Sequence, residues 1–175
     1  MPAFVDPAIA ATWFTTLRDS VAWKRERRWM YDREVEVPRL VASYRPSSFT
    51  QDDTVQNALA AILERAKTFA NEPFNAVGLN LYRDGTDSVA PHNDHLYEIV
   101  AGHPIGLVSL GATRWMTIRS KAKPRRVFDL DLESGSLLLM SYETQINYDH
   151  GVPKTTAKVG ERISVALRVR PPQKA

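Results

Sequence analysis

Arg162-Ile163-Ser164-Val165-Ala166-Leu167-Arg168-Val169-Arg170 alternates without a break. Ile163, Val165, Leu167 and Val169 fall on one side and Arg162, Ser164, Ala166, Arg168 and Arg170 on the other, the period of two that marks a β-strand. One face is apolar and the other cationic. Two placements are open: an edge strand with a solvated face, or a strand lining a polar cavity. The small Ser164 and Ala166 between long guanidinium side chains leave room for an anion. The planar fork of Arg suits a carboxylate, so a dicarboxylate would fit this face.

Val77 to Tyr82 repeats the layout, with Val77, Leu79 and Leu81 on one side and Gly78, Asn80 and Tyr82 on the other. An amide and a phenol can donate hydrogen bonds to carboxylate oxygens. Two strands with one polar and one greasy face each suit a barrel or sandwich around a ligand cavity. Close by stands His92-Asn93-Asp94. On an extended strand the side chains of His92 and Asp94 project from the same side and can grip one ion, while Asn93 points away. Downstream comes Tyr148-Asp149-His150. Two imidazoles and one carboxylate form the facial set that holds Fe(II) and leaves positions open for a co-substrate and O2.

Along the rest of the chain, Asp6-Pro7 reads as a helix start, because Asp is a good N-cap and Pro suits the first turn. That helix runs to about Ala22 and buries Ile9, Trp13, Phe14 and Leu17. Residues 33–44 are expected to be extended. A second helix is expected from Thr50 to Phe69, with Val55, Leu59, Ile62, Leu63 and Phe69 at helical spacing and Asp52-Asp53 favouring its dipole. From residue 76 the reading is almost all strand: 76–82, 89–94, 105–111, 113–120, 125–132, 136–141, 146–150 and 162–170. Residues 83–86 and 133–135 read as turns, and 171–175 as a loose tail. Eight short strands after two helices predict a mainly β fold with flanking helices, its core a double-stranded β-helix, or jelly roll.

At 175 residues and 43% hydrophobic content, a single domain over 1–175 is expected, with 1–75 as helical support and substrate lid and 76–170 as the jelly-roll core. The absence of cysteine excludes disulfides, a thiol nucleophile and a Cys-ligated metal or cluster. No apolar run approaches the ~20 residues of a membrane span, and the first residues lack the basic and apolar regions of a signal peptide, so no membrane partner and a cytoplasmic location are expected. A formal charge of +3 and pI ≈ 9.3 suit a polyanionic partner. Two basic clusters add to this: residues 23–31, where Lys24, Arg25, Arg27 and Arg28 interleave with aromatics, and residues 121–126. Cations there could hold phosphates and rings could stack bases, although a solvated surface is an equal reading of either cluster.

Phe74-Asn75 through Tyr82, the His92-x-Asp94 pair, Ser109 to Arg114, Gly135 to Met140, His150 to Lys154 and Arg162 to Arg168 occur in an order that resembles the AlkB family of Fe(II)/2-oxoglutarate dioxygenases. The similarity runs over roughly residues 37 to 171 and is greatest to the members that repair alkylated nucleic acid. It implies that His92, Asp94 and His150 bind iron. It implies further that Asn80, Tyr82, Arg162, Ser164 and Arg168 serve 2-oxoglutarate, and that O2 completes the reaction. The activity implied is oxidative demethylation of N-alkylated bases, such as 1-methyladenine and 3-methylcytosine in DNA or RNA, by a monomer. Tyr44 would lie in the lid over the damaged base and stack on it, the base being extruded because its target nitrogen is hidden in a duplex.

Two departures bear on this. Ser164 and Ala166 stand where the family commonly has Asn and Thr, which removes a polar contact near the co-substrate. Leu96 stands where an acid helps to read the base, and Glu98 is the candidate to serve in its place. The same chemistry on a protein or small molecule is therefore the alternative, and a non-catalytic nucleic-acid binder the third reading. Arg114 and Lys154 are also family-like without an assigned role, and His95 and His103 read as surface groups.

Overall fold

The computed structural model describes residues 1–30, 32–50 and 53–172. Tyr31 of the first basic cluster, Asp52 of the acidic pair and residues 173–175 of the tail lie outside them. The first helix, α1 (Pro7–Ser20), starts where Asp6 accepts a hydrogen bond from Ala8 N, an N-cap satisfying one of the helix's open donors. Leu17 and Ala10 are its buried residues, whereas Ile9 is 45% exposed and leaves the expected core face. The second, α2 (Thr54–Ala70), is capped by Asp53, which accepts from Val55 and Gln56. It therefore starts later than Thr50, and Phe69 near its end is exposed while Leu59, Ile62 and Leu63 are buried.

Among the described residues, ten strands make two antiparallel sheets. The larger runs β1 (Lys24–Met30), β2 (Arg33–Tyr44), β3 (Ala76–Tyr82), β10 (Arg162–Arg168), β5 (Ile105–Gly111) and β8 (Leu137–Met140). The smaller runs β4 (Val89–His92), β9 (Tyr148–Val152), β6 (Arg114–Ser120) and β7 (Val127–Leu132). This is the expected jelly roll with helices, enlarged at one edge. Residues 24–30 read as a basic aromatic run yet form β1, a strand pairing with β2, so the first 75 residues contribute a hairpin to the sheet as well as two helices. Arg25 and Arg27 there face Glu36 and Glu34 across the ladder at 3.4 and 3.1 Å, a cross-strand charge match that composition alone does not show. The second departure is α3 (Tyr142–Asn147), capped by Ser141, which occupies residues expected to open a strand at 146.

The alternation in β10 sorts the interior. Ile163, Val165 and Leu167, with Val77, Leu79, Leu81, Val108 and Leu110, pack under the helix residues Leu17, Leu59, Ile62 and Leu63. Ala166 and Tyr82, from the opposite face, join Leu107, Met116, Ile118, Leu132 and Val152 between the sheets. Because β10 is hydrogen-bonded to β3 on one side and β5 on the other, it is central, and the edge-strand placement is set aside. Its cationic face is thus turned into the space between the sheets.

Candidate metal centre

His92 and His150 are direct partners in the β4–β9 ladder, which brings their rings to 4.5 Å at a tilt of 48°. Such closeness is possible because β9 continues into Gly151. A Cβ on that residue would lie 2.8 Å from Val89 O and 3.0 Å from Pro91 N, so β4 approaches as only glycine permits. β4 ends at His92, two residues before the expected boundary, and the chain turns so that Asp94 joins the pair. Ligand atoms of His92, Asp94 and His150 lie within 4.8 Å of one another. Nε2 of His92 is 3.8 Å from Oδ1 of Asp94. Donors about 2.1 Å from one ion at right angles stand about 3 Å apart, so a movement of about 1 Å would bring these to coordination distance.

The surroundings prepare the donors. Nδ1 of His92 is 3.0 Å from Ala90 O; donation to that carbonyl leaves Nε2 as the lone-pair nitrogen. His150 is buried, with Nδ1 lacking a hydrogen-bond partner. Burial, and then the neighbouring His92 ring, lower its pKa to about 4. His92 is also lowered, chiefly by loss of water. Both rings are therefore neutral at physiological pH, the form that binds a metal. Burial pushes the Asp94 carboxyl up, but the Arg168 guanidinium and the two imidazoles outweigh it and hold the group below the usual carboxylate range. Arg168 Nε donates to Asp94 Oδ2 at 2.5 Å. From behind, Asp94 N donates to Gln145 Oε1 at 3.0 Å, and Lys121 Nζ ties Asn93 Oδ1 to the last carbonyls of α3.

A buried cation lies on the same sheet face. Arg162 is 0% exposed, and Nη2 donates to Ser109 Oγ at 2.8 Å. Its Nε and Nη1 are buried without an acceptor. Its guanidinium carbon stands 5.2 Å from the Tyr82 ring, a cation–π contact that does not satisfy those donors. A buried polar group left open costs stability unless something else fills the place, and a guanidinium with open donors suits a carboxylate oxygen. Ser164 is opposite both Asn80 and Ser109 in the ladders, so Asn80, Tyr82, Ser109, Arg162 and Ser164 share one face. Arg39 reaches the same face, donating to Asn80 Oδ1 at 2.7 Å.

The metal triad is thus gathered from β4, the turn after it and β9, and the five expected co-substrate residues lie on the adjacent strands β3 and β10 of the larger sheet. Tyr44 pairs with Val77 and packs against the helix-side core, while also lining a cavity beside Arg168. Glu98 accepts from Arg170 Nη2 at 2.8 Å. Leu96 packs into the apolar cluster between the sheets. Arg114 is buried and donates to the carbonyls of Asp84, Asp87 and Pro153, which gives it a clamping place beside Tyr82. Arg39 and Gln145 had no part in the sequence reading, where Ser109 stood only in a family-like motif and Lys121 only in the second basic cluster. Alternation in residues 105–111 puts Ser109 on the Leu107 side; for Gln145 the sequence held no signal.

The sequence model described as the 2OG-Fe(II) oxygenase superfamily matches residues 1–168. Human "DNA oxidative demethylase ALKBH2" is 32% identical over 117 residues, 63% of this chain and 45% of that protein. Human "Alpha-ketoglutarate-dependent dioxygenase alkB homolog 3" is 29% identical over 182 aligned positions, 95% of this chain and 64% of that protein. The chain thus spans less than two thirds of the length of these relatives. A crystal structure of a Pseudomonas putida prolyl-4-hydroxylase superimposes with TM-score 0.59 at 14% identity, covering 98% of this chain and 91% of the other, a likeness of fold.

Proposed function

Since the chain belongs to the 2OG-Fe(II) oxygenase superfamily and is AlkB-like, we propose that it removes alkyl groups oxidatively from nucleobases of DNA or RNA, 1-methyladenine and 3-methylcytosine being the type of substrate meant. The observation that carries this reading is the His92, Asp94 and His150 cluster beside a fully buried Arg162 with two open donors.

When bound, Fe(II) with 2-oxoglutarate and O2 supplies the oxidising power that hydroxylates an N-alkyl carbon, as 2-oxoglutarate becomes succinate and CO2. His92, Asp94 and His150 would hold the ion, a two-histidine, one-carboxylate set suited to Fe(II). Arg168 keeps Asp94 ionised and oriented. Arg162 would take the distal carboxylate of the co-substrate on one of its open donors, with Ser164, Asn80 and Tyr82 on the same sheet face. Asn80 is held in place by Arg39. The apolar residues between the sheets would limit water on that side of the site. The hydroxylated N-alkyl group then falls apart to an aldehyde and the unmodified base.

A second reading keeps this chemistry and directs it at a protein or a small molecule. The apolar Leu96 where an acid would read the base favours it. Incubation with Fe(II), 2-oxoglutarate, ascorbate and a methylated oligonucleotide separates the two. Succinate formed in step with loss of the methyl group is the expected result. Succinate without demethylation would transfer the case to the second reading, and neither product from iron-loaded protein would end both.

A further inference from the structure

A small cationic cavity of about 130 Å³ opens beside Arg168, lined among others by Ser43, Arg45, Gly78 and Arg170. It adjoins the candidate metal centre through Arg168, whose Nε is engaged by Asp94. Arg170 gives Nη2 to Glu98, while its Nε is buried without an acceptor. Arg45 has no ion-pair partner among the described residues. Three guanidiniums thus meet two carboxylates, and the surplus positive charge belongs to Arg45.

Sequence explains why the space exists. Gly78 is paired with Ser43 on β2 and Ala166 on β10, and a Cβ there would stand 3.2 Å from Arg168 Nη1. A larger residue would push that guanidinium into the cavity. The volume equals about four waters at roughly 30 Å³ each. That accommodates a tetrahedral anion with a water; a nucleobase with its sugar needs several times more.

From this we infer a phosphate subsite: Arg45 and Arg170, with the Ser43 hydroxyl, hold the backbone phosphate next to the nucleotide whose base enters the metal site. The inference rests on the nucleic-acid reading above and names where the chain, as distinct from the base, is gripped. Phosphate contacts of this kind fix register and carry no sequence information. Tyr44, which also lines the cavity, and Glu98, through Arg170, then belong to the entrance of the site.

The test uses direct binding, so that it stands apart from turnover. Full-length protein loaded with Mn(II) is titrated against a short single-stranded methylated oligonucleotide by fluorescence anisotropy. A parallel set of oligonucleotides carries one uncharged methylphosphonate, placed on either side of the methylated base. Arg45→Met should weaken binding roughly fivefold to tenfold and lower the salt slope by about one. One of the two neutral linkages should weaken wild-type binding by a like factor and leave Arg45→Met unaffected. Equal sensitivity of wild type and variant to both linkages, or an Arg45→Met affinity equal to wild type, overturns the subsite. Should either occur while the oligonucleotide is still demethylated, the proposed function stands and only the subsite falls. Tight binding governed by Arg45 without any demethylation would keep the subsite and remove the proposed reaction. Circular dichroism of Arg45→Met guards against misfolding, and Arg45→Lys, which keeps the charge, should recover most of the affinity.

Discussion

Single side chains carry the chemistry, and they differ in how readable they were. The alternation around Arg162 announced an anion-binding face, because spacing in a strand fixes which side chains are neighbours. It could not tell an edge from a centre, since that depends on strands 80 residues away. Replacing Arg162 by Met removes the charged donors without changing side-chain length much. The expected outcome is a KM for 2-oxoglutarate raised at least tenfold, following from a loss of about 1.5–3 kcal/mol for a charged hydrogen bond, with metal affinity unchanged in a Co(II) titration. Equal loss of both would mean that Arg162 merely supports the fold. Asp87 offers a different kind of test. Although burial pushes its carboxyl up, the hydrogen bonds from Arg83 outweigh it and hold the group below the ordinary value. A depressed carboxyl contributes stability above its unfolded pKa and loses it as pH falls through the folded one. Asp87→Asn should therefore lower Tm at neutral pH and flatten the decline of Tm below about pH 4. A variant whose acid decline parallels wild type would show that Asp87 has no such part.

Among the elements, β3 and β10 were legible because each alternates over seven residues, and β5 as a short apolar run buried on both faces. β1 was not, since a run of four cations among aromatics has no apolar period; it is held by its ladder with β2, where Glu34 and Glu36 pair with Arg27 and Arg25. The six-residue α3 escaped for another reason: its role is to set Gln145 behind Asp94, a contact that no local pattern encodes. In the β4–β9 pair, Gly151 controls the site without being a ligand itself. Gly151→Ala puts a methyl group against the Val89 and Pro91 backbone, which cannot yield as a flexible side chain would. The strands should part at His92, and metal affinity should fall at least tenfold while circular dichroism keeps its native shape. Retention of wild-type affinity would show that the two imidazoles do not depend on this approach.

Seen as a whole molecule, the two apolar clusters divide the work: the helix-side cluster holds the large sheet up, and the one between the sheets shapes the reaction chamber. This division was partly legible, because the odd and even sets of β3 and β10 had to face different surroundings; what lay on each side was settled only by the docking of α1 and α2. It predicts that Leu59→Ala, a fully buried helix residue, costs about 2–5 kcal/mol of stability and leaves turnover per folded molecule unchanged at low temperature, as read by calorimetry beside succinate release. A marked change in turnover would mean that the helices shape the chamber too. The unneutralised guanidinium at the heart of the protein has one more effect. Any short chain ending in a carboxylate that can reach it is a competitor, and the spent co-substrate keeps the very end that Arg162 would grip. Catalysis should accordingly slow as its own succinate builds up, and the ratio of the two acids, more than the amount of either, should set how fast this protein can work.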